Sequence, residues 1–464
     1  MNQTIASSFL VRMLSSVLLS FVVASPLLAN GTHEANDIPH NGIHHPISDH
    51  VRISLPTLIA ELDQANPELR AARQRWEAAK AVVPQVQTLP DPTVKLGYQR
   101  MPMREPLQGA MYGIGQEIPF PGKLRLKGEV AQREADRIEQ EYLAVRLRLV
   151  ARLKEAYFDL HFIHDAIEIV ERNKILLMQF EKTAKSRYAV GQAAQQDVFR
   201  AQVEISRVMD RLAVLDQQKE SLHAAVNRLL NRPPAGPFGS PEEIQMTMVT
   251  LPLQQLNRRA EEFSPILQAS AKGVERGEQA VALARREYYP DFDVSALGLH
   301  NDRINEHGFQ VMLGIRLPLY YTTKQRQAVR QALAETTEAR ESLTNTRQDL
   351  LFRVKDDFVQ AQRAERLVAI LRDAIIPQAT LALRASQSGY GVGKVDFLTL
   401  LNSLLTLQES ELELHREMVA HEKALARLEE VTGGPLKNSG SLPAGDGPRM
   451  FDTGERITEG ARHP

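Results

Sequence analysis

Apolar residues recur at spacings of three and four along four long stretches of the chain. In the first stretch they include Val150, Leu153 and Tyr157, and no proline interrupts the run. This spacing puts the apolar side chains on one face of an α-helix, where a partner helix can cover them. The helices predicted in this way span residues 123–188, 193–230, 322–388 and 394–432. Because a short glycine-containing segment separates the members of each pair, we expect two long helical hairpins.

Four shorter segments alternate apolar and polar residues instead. In the last of them Phe309, Val311 and Leu313 share one side, while Gln310 and Met312 share the other. A period of two predicts β-strands with one apolar face. Strands of about nine to eleven residues suit a tilted crossing of a lipid bilayer. The predicted strands span residues 93–100, 111–120, 292–300 and 309–318.

Short sequence matches relate the two halves of the chain at a nearly constant separation. The matched positions are Asn66 with Ser264, Ile118 with Leu317, and Tyr188 with Tyr390, which lie 198, 199 and 202 residues apart. These matches predict an internal duplication of a helix, two strands and two long helices. We place the first repeat at residues 51–232, a proline-containing linker at 233–252, and the second repeat at 253–432.

The two ends of the chain lack this periodicity. Residues 1–29 carry one positive charge, Arg12, and then an apolar run, which predicts a secretory signal peptide, with a retained signal anchor as the alternative. Residues 30–50 predict a disordered arm that is either a weak metal binder or a polar spacer. Its histidines are His33, His40, His44, His45 and His50. We expect residues 433–464 to form a disordered tail.

Composition narrows the class of protein. Hydrophobic residues make up 43% of the chain and charged residues 24%, and the formal net charge is −1. Such a chain buries a large core and has no excess of basic charge for binding nucleic acid. There is no cysteine, so neither disulfides nor a lipid-modified cysteine holds the exported chain.

A membrane attachment would therefore depend on the strands. No segment after the predicted signal peptide supplies roughly 18 consecutive apolar residues for a spanning helix. Only helices and closed barrels satisfy their backbone polar groups in lipid, which leaves a barrel. Known single-chain barrels have at least about eight strands, so four per chain require a barrel shared between subunits. Two chains or three would both satisfy this requirement.

Several motifs resemble the TolC-like outer-membrane efflux family, over about residues 51–435. They are the Asn-Pro-Glu-Leu segment at Asn66, the Gly-Gln-Glu-Ile-Pro-Phe-Pro-Gly-Lys segment ending at Lys123, and the Tyr-x-Val-Gly turns at Tyr188 and Tyr390. The Leu-Pro-Asp-Pro segment at 89–92 and the end of the Lys123 motif resemble the heavy-metal, CzcC-type branch of that family.

The resemblance implies a mainly α protein with a membrane β-barrel portion. It implies a homotrimer with a shared twelve-stranded barrel in outer-membrane lipid and a helical tunnel crossing the periplasm. It also implies an equatorial belt, which we place at residues 236–252 and the C-terminal region. The implied partners are a periplasmic membrane-fusion adaptor and an inner-membrane RND-type pump, and no cofactor is expected.

The implied function is a passive outer-membrane duct that exports heavy-metal cations. One alternative within the family is a general drug or type I secretion export duct. An alternative from another class is an exported structural coiled-coil protein without a pore, against which the alternating strands argue. An enzyme is not expected, because His161, His164 and Asp165 lack the glutamate of a zinc-protease helix, and the glycines near Gly391 lack phosphate-loop spacing.

The hairpin turns are the first candidate site. By resemblance, Val190 and Gly191 in one turn and Val392 and Gly393 in the other form the tip where the adaptor docks. Glycine frees the turn backbone and lets a partner helix approach closely. The alternative interpretation is that these glycines only end helices.

Two acidic residues and two methionines complete the candidates. By resemblance, Asp396 matches an acidic gate position of the family, and Asp197 is a weaker candidate for the same gate. The family pattern places a second acid where this chain has Thr399. Either aspartate could instead be a helix N-cap. Met101 and Met103 are candidate soft ligands for Cu(I), or adaptable packing residues.

Overall fold

A computed structural model describes residues 53–101, 107–242, 246–247, 251–302 and 305–436. The predicted signal peptide, the histidine-containing arm, Met103 and residues 437–464 of the predicted tail lie outside the described residues. All described residues belong to one compact unit. None of its helices is both long and apolar enough to cross a lipid bilayer.

The element order of the first half returns in the second half. The first half contains α1 (Leu55–Ala65), α2 (Pro67–Gln87), β1 (Thr93–Met101), β2 (Leu107–Ile118), α3 (Lys123–Ala189) and α4 (Gln195–Leu229). The second half contains α5 (Leu253–Phe263), α6 (Pro265–Arg286), β3 (Asp291–Asn301), β4 (Glu306–Arg316), α7 (Gln325–Ile370), α8 (Ile376–Gly391) and α9 (Phe397–Val431).

Each half begins with two short helices where the sequence predicts one. The break in the first half falls at Asn66, whose side-chain oxygen accepts a hydrogen bond from the Leu69 N–H at 3.0 Å and so caps α2. The Asn66 amide also donates to the Leu229 carbonyl at 2.8 Å, which ties the break to the end of α4. Pro67 then occupies the first helical position, where its missing N–H is harmless.

The four strands form one antiparallel sheet in the order β1-β2-β3-β4. Their bounds differ from the predicted ones by a few residues. Strand β2 begins at Leu107 rather than 111, since the four residues before Met111 also pair with β1. The strands β2 and β4 end before Pro119 and Pro318, because proline has no N–H to donate to the ladder. The sheet presents exposed apolar side chains, among them Leu96 and Leu313.

The first long helix is continuous and the second is not. Helix α3 runs for 67 residues, or about 100 Å, without a break. The predicted helix at 322–388 instead consists of α7, a π-helical turn at Leu371–Ile375, and α8, with 46, 5 and 16 residues. Pro377 lies in the first turn of α8, and the Ile376 N–H donates five residues back to Leu371. A wider turn accommodates the proline, which cannot donate to the helix itself.

A shared apolar core joins the two hairpins along their long helices. Val170 and Leu177 of α3 and Ala201 of α4 are buried in it together with Leu400 and Leu404 of α9. The stripe that the spacing of three and four predicts is therefore covered by helices of the other hairpin, and the hydrophobic gain of burying it holds the hairpins side by side.

A compact polar contact, which we name the first joint, connects the sheet to the long helices. It consists of Phe120, Lys123, Tyr289 and Asp291. The Lys123 ammonium is 2.9 Å from an Asp291 carboxylate oxygen and donates to the Tyr289 carbonyl at 3.0 Å. The Phe120 N–H donates to the same carboxylate at 2.8 Å, and its ring stacks on Tyr289 at 4.6 Å. These contacts of Phe120 and Lys123 fix the connection between β2 and α3.

Candidate functional site

The turn between α3 and α4 ends the first long helix with two backbone hydrogen bonds. The Gln192 N–H donates to the Arg187 carbonyl at 2.8 Å, and the Gly191 N–H donates to the Tyr188 carbonyl at 2.9 Å. This pair of bonds is the Schellman motif, which satisfies the last free carbonyls of a helix.

The turn between α8 and α9 repeats the same pattern. The Lys394 N–H donates to the Gly389 carbonyl at 2.8 Å, and the Gly393 N–H donates to the Tyr390 carbonyl at 3.1 Å. Two turns from different halves of the chain therefore have one construction.

Glycine is required in both turns by the backbone conformation. Gly191 has φ of 72° and Gly393 has φ of 77°, a left-handed conformation that side chains with a Cβ disfavour. Each glycine thus has a helix-ending role. A docking role for these positions stays a prediction.

Each of the two turns carries an exposed valine. Val190 is 67% exposed and Val392 is 72% exposed. An exposed apolar side chain at a turn has no packing role within the chain, so it is available to a partner.

Two side chains that the sequence did not single out as site residues bring the turns together. The Arg187 guanidinium lies 4.7 Å from the centre of the Tyr390 ring, a cation–π contact between α3 and α8. The Tyr390 ring also packs edge-on against Phe397 at 5.6 Å. Tyr390 is 3% exposed, whereas Tyr188, its match in the first half, is 47% exposed. The similar sequences of the two turns do not predict this difference in exposure, because the exposure depends on contacts with the other hairpin.

Asp396 is the N-cap of α9. Its carboxylate accepts a hydrogen bond from the Thr399 N–H at 3.1 Å. Hydrogen bonds from Thr399 lower the pKa of the Asp396 carboxyl below its ordinary value, so it is charged at neutral pH. Thr399, which stands where the family pattern carries a second acid, here supports the cap. The carboxylate is exposed, which leaves it accessible to an ion as well.

Asp197 has a different position, and its interpretation as an N-cap is wrong. The N-cap of α4 is Ala194, and Asp197 lies in the first helical turn. There a carboxylate favourably faces the positive end of the helix dipole. The Asp197 charge also lies near Tyr390, whose pKa is raised first by burial and then by this carboxylate.

The candidate metal ligands are not assembled in the described part of the chain. No group of three or more His, Cys, Asp or Glu residues there is arranged to hold a metal ion. Met101 ends β1, while Met103 and all five histidines of the arm lie outside the described residues. A metal role for them stays a prediction.

His161 and Asp165, the residues compared above with a zinc-protease helix, take part in a polar contact between α3 and α9. Asp165 Oδ2 is 3.0 Å from His161 Nδ1 on α3 and 2.7 Å from His415 Nδ1 on α9. Burial alone would raise the pKa of Asp165, but the hydrogen bonds from the two histidines outweigh it and lower the pKa to about 2. The arrangement ties α9 to α3.

The sequence matches known proteins over most of its length. The model of a family described as outer membrane efflux protein matches residues 58–232 and 256–434. The cobalt-zinc-cadmium resistance protein CzcC of Cupriavidus metallidurans is 21% identical over 381 residues, which cover 81% of this chain and 90% of that protein. The outer membrane protein TolC of Vibrio cholerae is 18% identical, with coverages of 82% and 90%.

Solved structures share the fold. A crystal structure of CusC superposes with a TM-score of 0.73 at 15% identity, covering 83% of this chain and 94% of that one. The outer membrane protein VceC of Vibrio cholerae superposes with a TM-score of 0.71 at 20% identity, with coverages of 82% and 97%. At this identity the likeness concerns the fold.

Proposed function

The chain belongs to the outer membrane efflux protein family, and from that membership we propose that it is the outer-membrane duct of a tripartite efflux system for heavy-metal cations. Members of this family are passive channels of the outer membrane, so the protein is a channel and not an enzyme.

The proposed assembly is a homotrimer with a shared barrel of twelve strands. Each chain contributes four strands, and β1 and β4 each pair on one side only within the described sheet. An open sheet with exposed apolar side chains and two free edges is unsuited to standing alone in lipid or water. Three copies would remove all free edges and leave a wider lumen than two.

The proposed cargo rests on one observation, the similarity to CzcC over 90% of that protein's length. CzcC is named for cobalt, zinc and cadmium resistance. Phe120 and Lys123 of the Lys123 motif also have a structural role in the first joint. The multidrug resistance protein MdtP of Shigella flexneri is 26% identical over 39% of this chain, which favours a drug duct as the second candidate.

We place the docking of a periplasmic adaptor at the exposed valines Val190 and Val392. Each valine precedes a helix-ending glycine, so its position is fixed by the hydrogen bonds of the turn. A partner would therefore contact an apolar side chain in a defined position. Val190→Asp with Val392→Asp would desolvate two charges in that contact, and we expect metal resistance to fall while the amount of protein in the outer membrane stays normal. Unchanged resistance with normal protein amounts would move the docking site elsewhere.

Asp396 is the proposed gate residue. In a threefold assembly, three copies of its exposed carboxylate would form an acidic ring that favours cations in a narrow pore. The cap that Asp396 provides for α9 fixes where this carboxylate stands. Asp197, in the first turn of α4, lies near Tyr390 of the other hairpin. We therefore propose that it stabilises the contact between the two turns and is not part of the acidic ring.

Growth of a deletion strain tests the cargo. The strain is grown on graded copper, silver, zinc, cobalt and cadmium salts and on hydrophobic drugs, beside a strain that carries the wild-type chain on a plasmid. Sensitivity to one or two metals, reversed by the plasmid, is the expected result. Sensitivity to drugs without a metal phenotype would replace the metal duct with a drug duct.

A further inference from the structure

Two histidines face each other across the hairpin of β3 and β4, close to its turn. His300 of β3 lies directly opposite His307 of β4 in the strand register. Their rings are stacked, with centres 4.5 Å apart and planes inclined by 27°. Two imidazoles thus share one small area of the sheet, at the end of β4 that is farther from α7.

The histidine pair lies on the apolar face of the sheet and is open to solvent. Side chains alternate between two faces along a strand, so His307 is on the same face as Phe309 and Val311. Phe309 is 90% exposed and Val311 is 67% exposed. His307 is exposed as well, and His300 is half-buried. An ion in solution can therefore reach both rings.

Asp302 and Tyr98 fix the orientation of the His300 ring. One Asp302 carboxylate oxygen is 3.8 Å from His300 Nε2, and the other accepts a hydrogen bond from the Tyr98 hydroxyl at 3.0 Å. Tyr98 belongs to β1, so the carboxylate is held by a strand outside the hairpin of β3 and β4. Histidines that bind metal ions usually have such a carboxylate near the ring nitrogen that does not bind the ion.

The other ring nitrogen of His300 lacks a partner among the described residues. His300 Nδ1 is buried and makes no hydrogen bond to any of them. A buried polar atom without a partner costs free energy. Cross-strand packing of two aromatic rings accounts for the stacking but not for this nitrogen. A cation bound to Nδ1 would supply the partner.

The ligand atoms select the class of cation. Neutral imidazole suits Zn²⁺, Cu²⁺, Co²⁺ and Ni²⁺, whereas Mg²⁺ and Ca²⁺ prefer oxygen ligands. The part of the chain that the structure describes has no group of three or more His, Cys, Asp or Glu residues arranged for a metal ion. The protein would therefore supply two imidazole nitrogens, and water would complete the coordination.

We propose that His300 and His307 form a surface site for a divalent transition-metal cation, which joins β3 to β4 beside their turn. Asp302 is a positioning residue of this site, because it faces Nε2 of His300 and not the unpaired Nδ1. The site does not depend on the cargo proposed above, since a drug duct with the same two histidines would bind the ion as well.

Amide hydrogen exchange of the full-length protein in detergent tests the site. An ion that bridges the two strands must leave before they separate. Exchange should therefore slow by a factor of one plus the ratio of the Zn²⁺ concentration to Kd. We expect residues 297–310 to exchange several-fold more slowly with Zn²⁺ and at an unchanged rate with Mg²⁺. Exchange in the middle of α3 shows whether each sample is folded and should not respond to either ion.

Substitution of each histidine identifies the ligands. His300→Gln and His307→Gln each remove one ligand and keep a polar side chain, so each should abolish the slowing by Zn²⁺. The matched control is His44→Gln with His45→Gln, which removes two histidines of the N-terminal arm and should keep the slowing. Wild-type protein that does not respond to Zn²⁺ would overturn the site, as would an equal response in the His307→Gln variant. Either result would leave the proposed duct intact.

Asp302→Asn separates positioning from direct binding. Asparagine can still accept the hydrogen bond from Tyr98, so exchange without Zn²⁺ should remain as in wild type. The Kd for Zn²⁺, taken from the concentration dependence of the slowing, should rise by about tenfold. An unchanged Kd would remove Asp302 from the site, and complete loss of the response would make it a ligand and overturn the two-histidine assignment.

Discussion

At the scale of single residues, the turns of the two hairpins show how one backbone angle selects an amino acid. Gly191 and Gly393 end their helices with positive φ, whereas Gly391, two residues before Gly393, is the last residue of α8. A Cβ added at Gly191 would meet no atom within 4 Å, so backbone strain alone opposes substitution there.

Alanine at these glycines should therefore have opposite effects. Gly191→Ala should lower the free energy of unfolding by about 1 kcal/mol, because left-handed backbone is unfavourable with a Cβ. Gly391→Ala should be neutral or stabilising, because alanine suits a helical residue and nothing lies within 4 Å of the added carbon. Urea unfolding of both purified variants measures this; equal shifts of the same sign would show that the turn does not impose the angle.

Asp165 makes a residue-scale prediction about pH. Its pKa in the folded protein is about 2, below the ordinary value of 3.8 for an aspartate side chain. A lowered folded pKa stabilises the fold above the unfolded value and loses that contribution as pH falls through the folded one. The stability difference between wild type and Asp165→Asn should therefore be full above about pH 4 and vanish towards about pH 2. Asp210→Asn, at an exposed position of α4, should show no such trend; a difference that is flat in pH would refute the linkage.

At the scale of elements, local patterns predicted most of the fold. The long helices and strands lie within a few residues of the predicted ranges, because periodicity and proline act locally. The first joint could not be predicted, since Lys123 and Asp291 meet across residues that are distant in sequence. The π-helical turn was also missed, although Pro377 within a helical pattern was its signal.

Lys123 tests the first joint. Its side chain is 3% exposed and faces the carboxylates of Asp291 and Glu287. Lys123→Met should destabilise the chain by about 2 kcal/mol, less than for a fully buried ion pair because Glu287 is partly exposed. Lys127→Met, one turn along and exposed, serves as the control and should change stability little. Thermal unfolding followed by circular dichroism compares the two, and equal melting temperatures would argue against the joint.

Pro377 tests the origin of the π-helical turn. Pro377→Ala restores an N–H and removes the ring that hinders a regular helix, so α7 and α8 should become continuous. Amide hydrogen exchange at Leu371–Ile376 should then slow several-fold, while exchange in the middle of α7 stays unchanged. Exchange that remains as fast as in wild type would mean that another feature sets the turn.

At the scale of the whole molecule, the proposed pore depends on contacts between hairpins and between chains, which local sequence patterns do not predict. Glycine positions were enough to locate the turns, but Arg187 and Tyr390 escaped prediction because their contact joins two different hairpins. Asp396 could be interpreted from sequence as cap or gate, and only the assembled molecule distinguishes the two functions.

Two substitutions separate these functions of Asp396. Asparagine caps a helix about as well as aspartate, so Asp396→Asn should keep stability and reduce the preference for cations. Asp396→Ala should also cost about 1 kcal/mol of stability through the lost cap. The reversal potential across a KCl gradient in planar bilayers reports the preference. If Asp396→Asn has the wild-type reversal potential, the residue is a cap and not a gate.

The π-helical turn makes the two hairpins unequal as mechanical parts. Helix α3 is an unbroken rod, and such a rod spreads any bending gently over its whole length. Its counterpart has a π-helical turn at Leu371–Ile375 that interrupts the regular hydrogen-bond pattern, and helices bend preferentially at such a turn. The same sideways force at both hairpin turns would therefore bend the second hairpin more than the first. Each chain combines a stiff hairpin with a more flexible one.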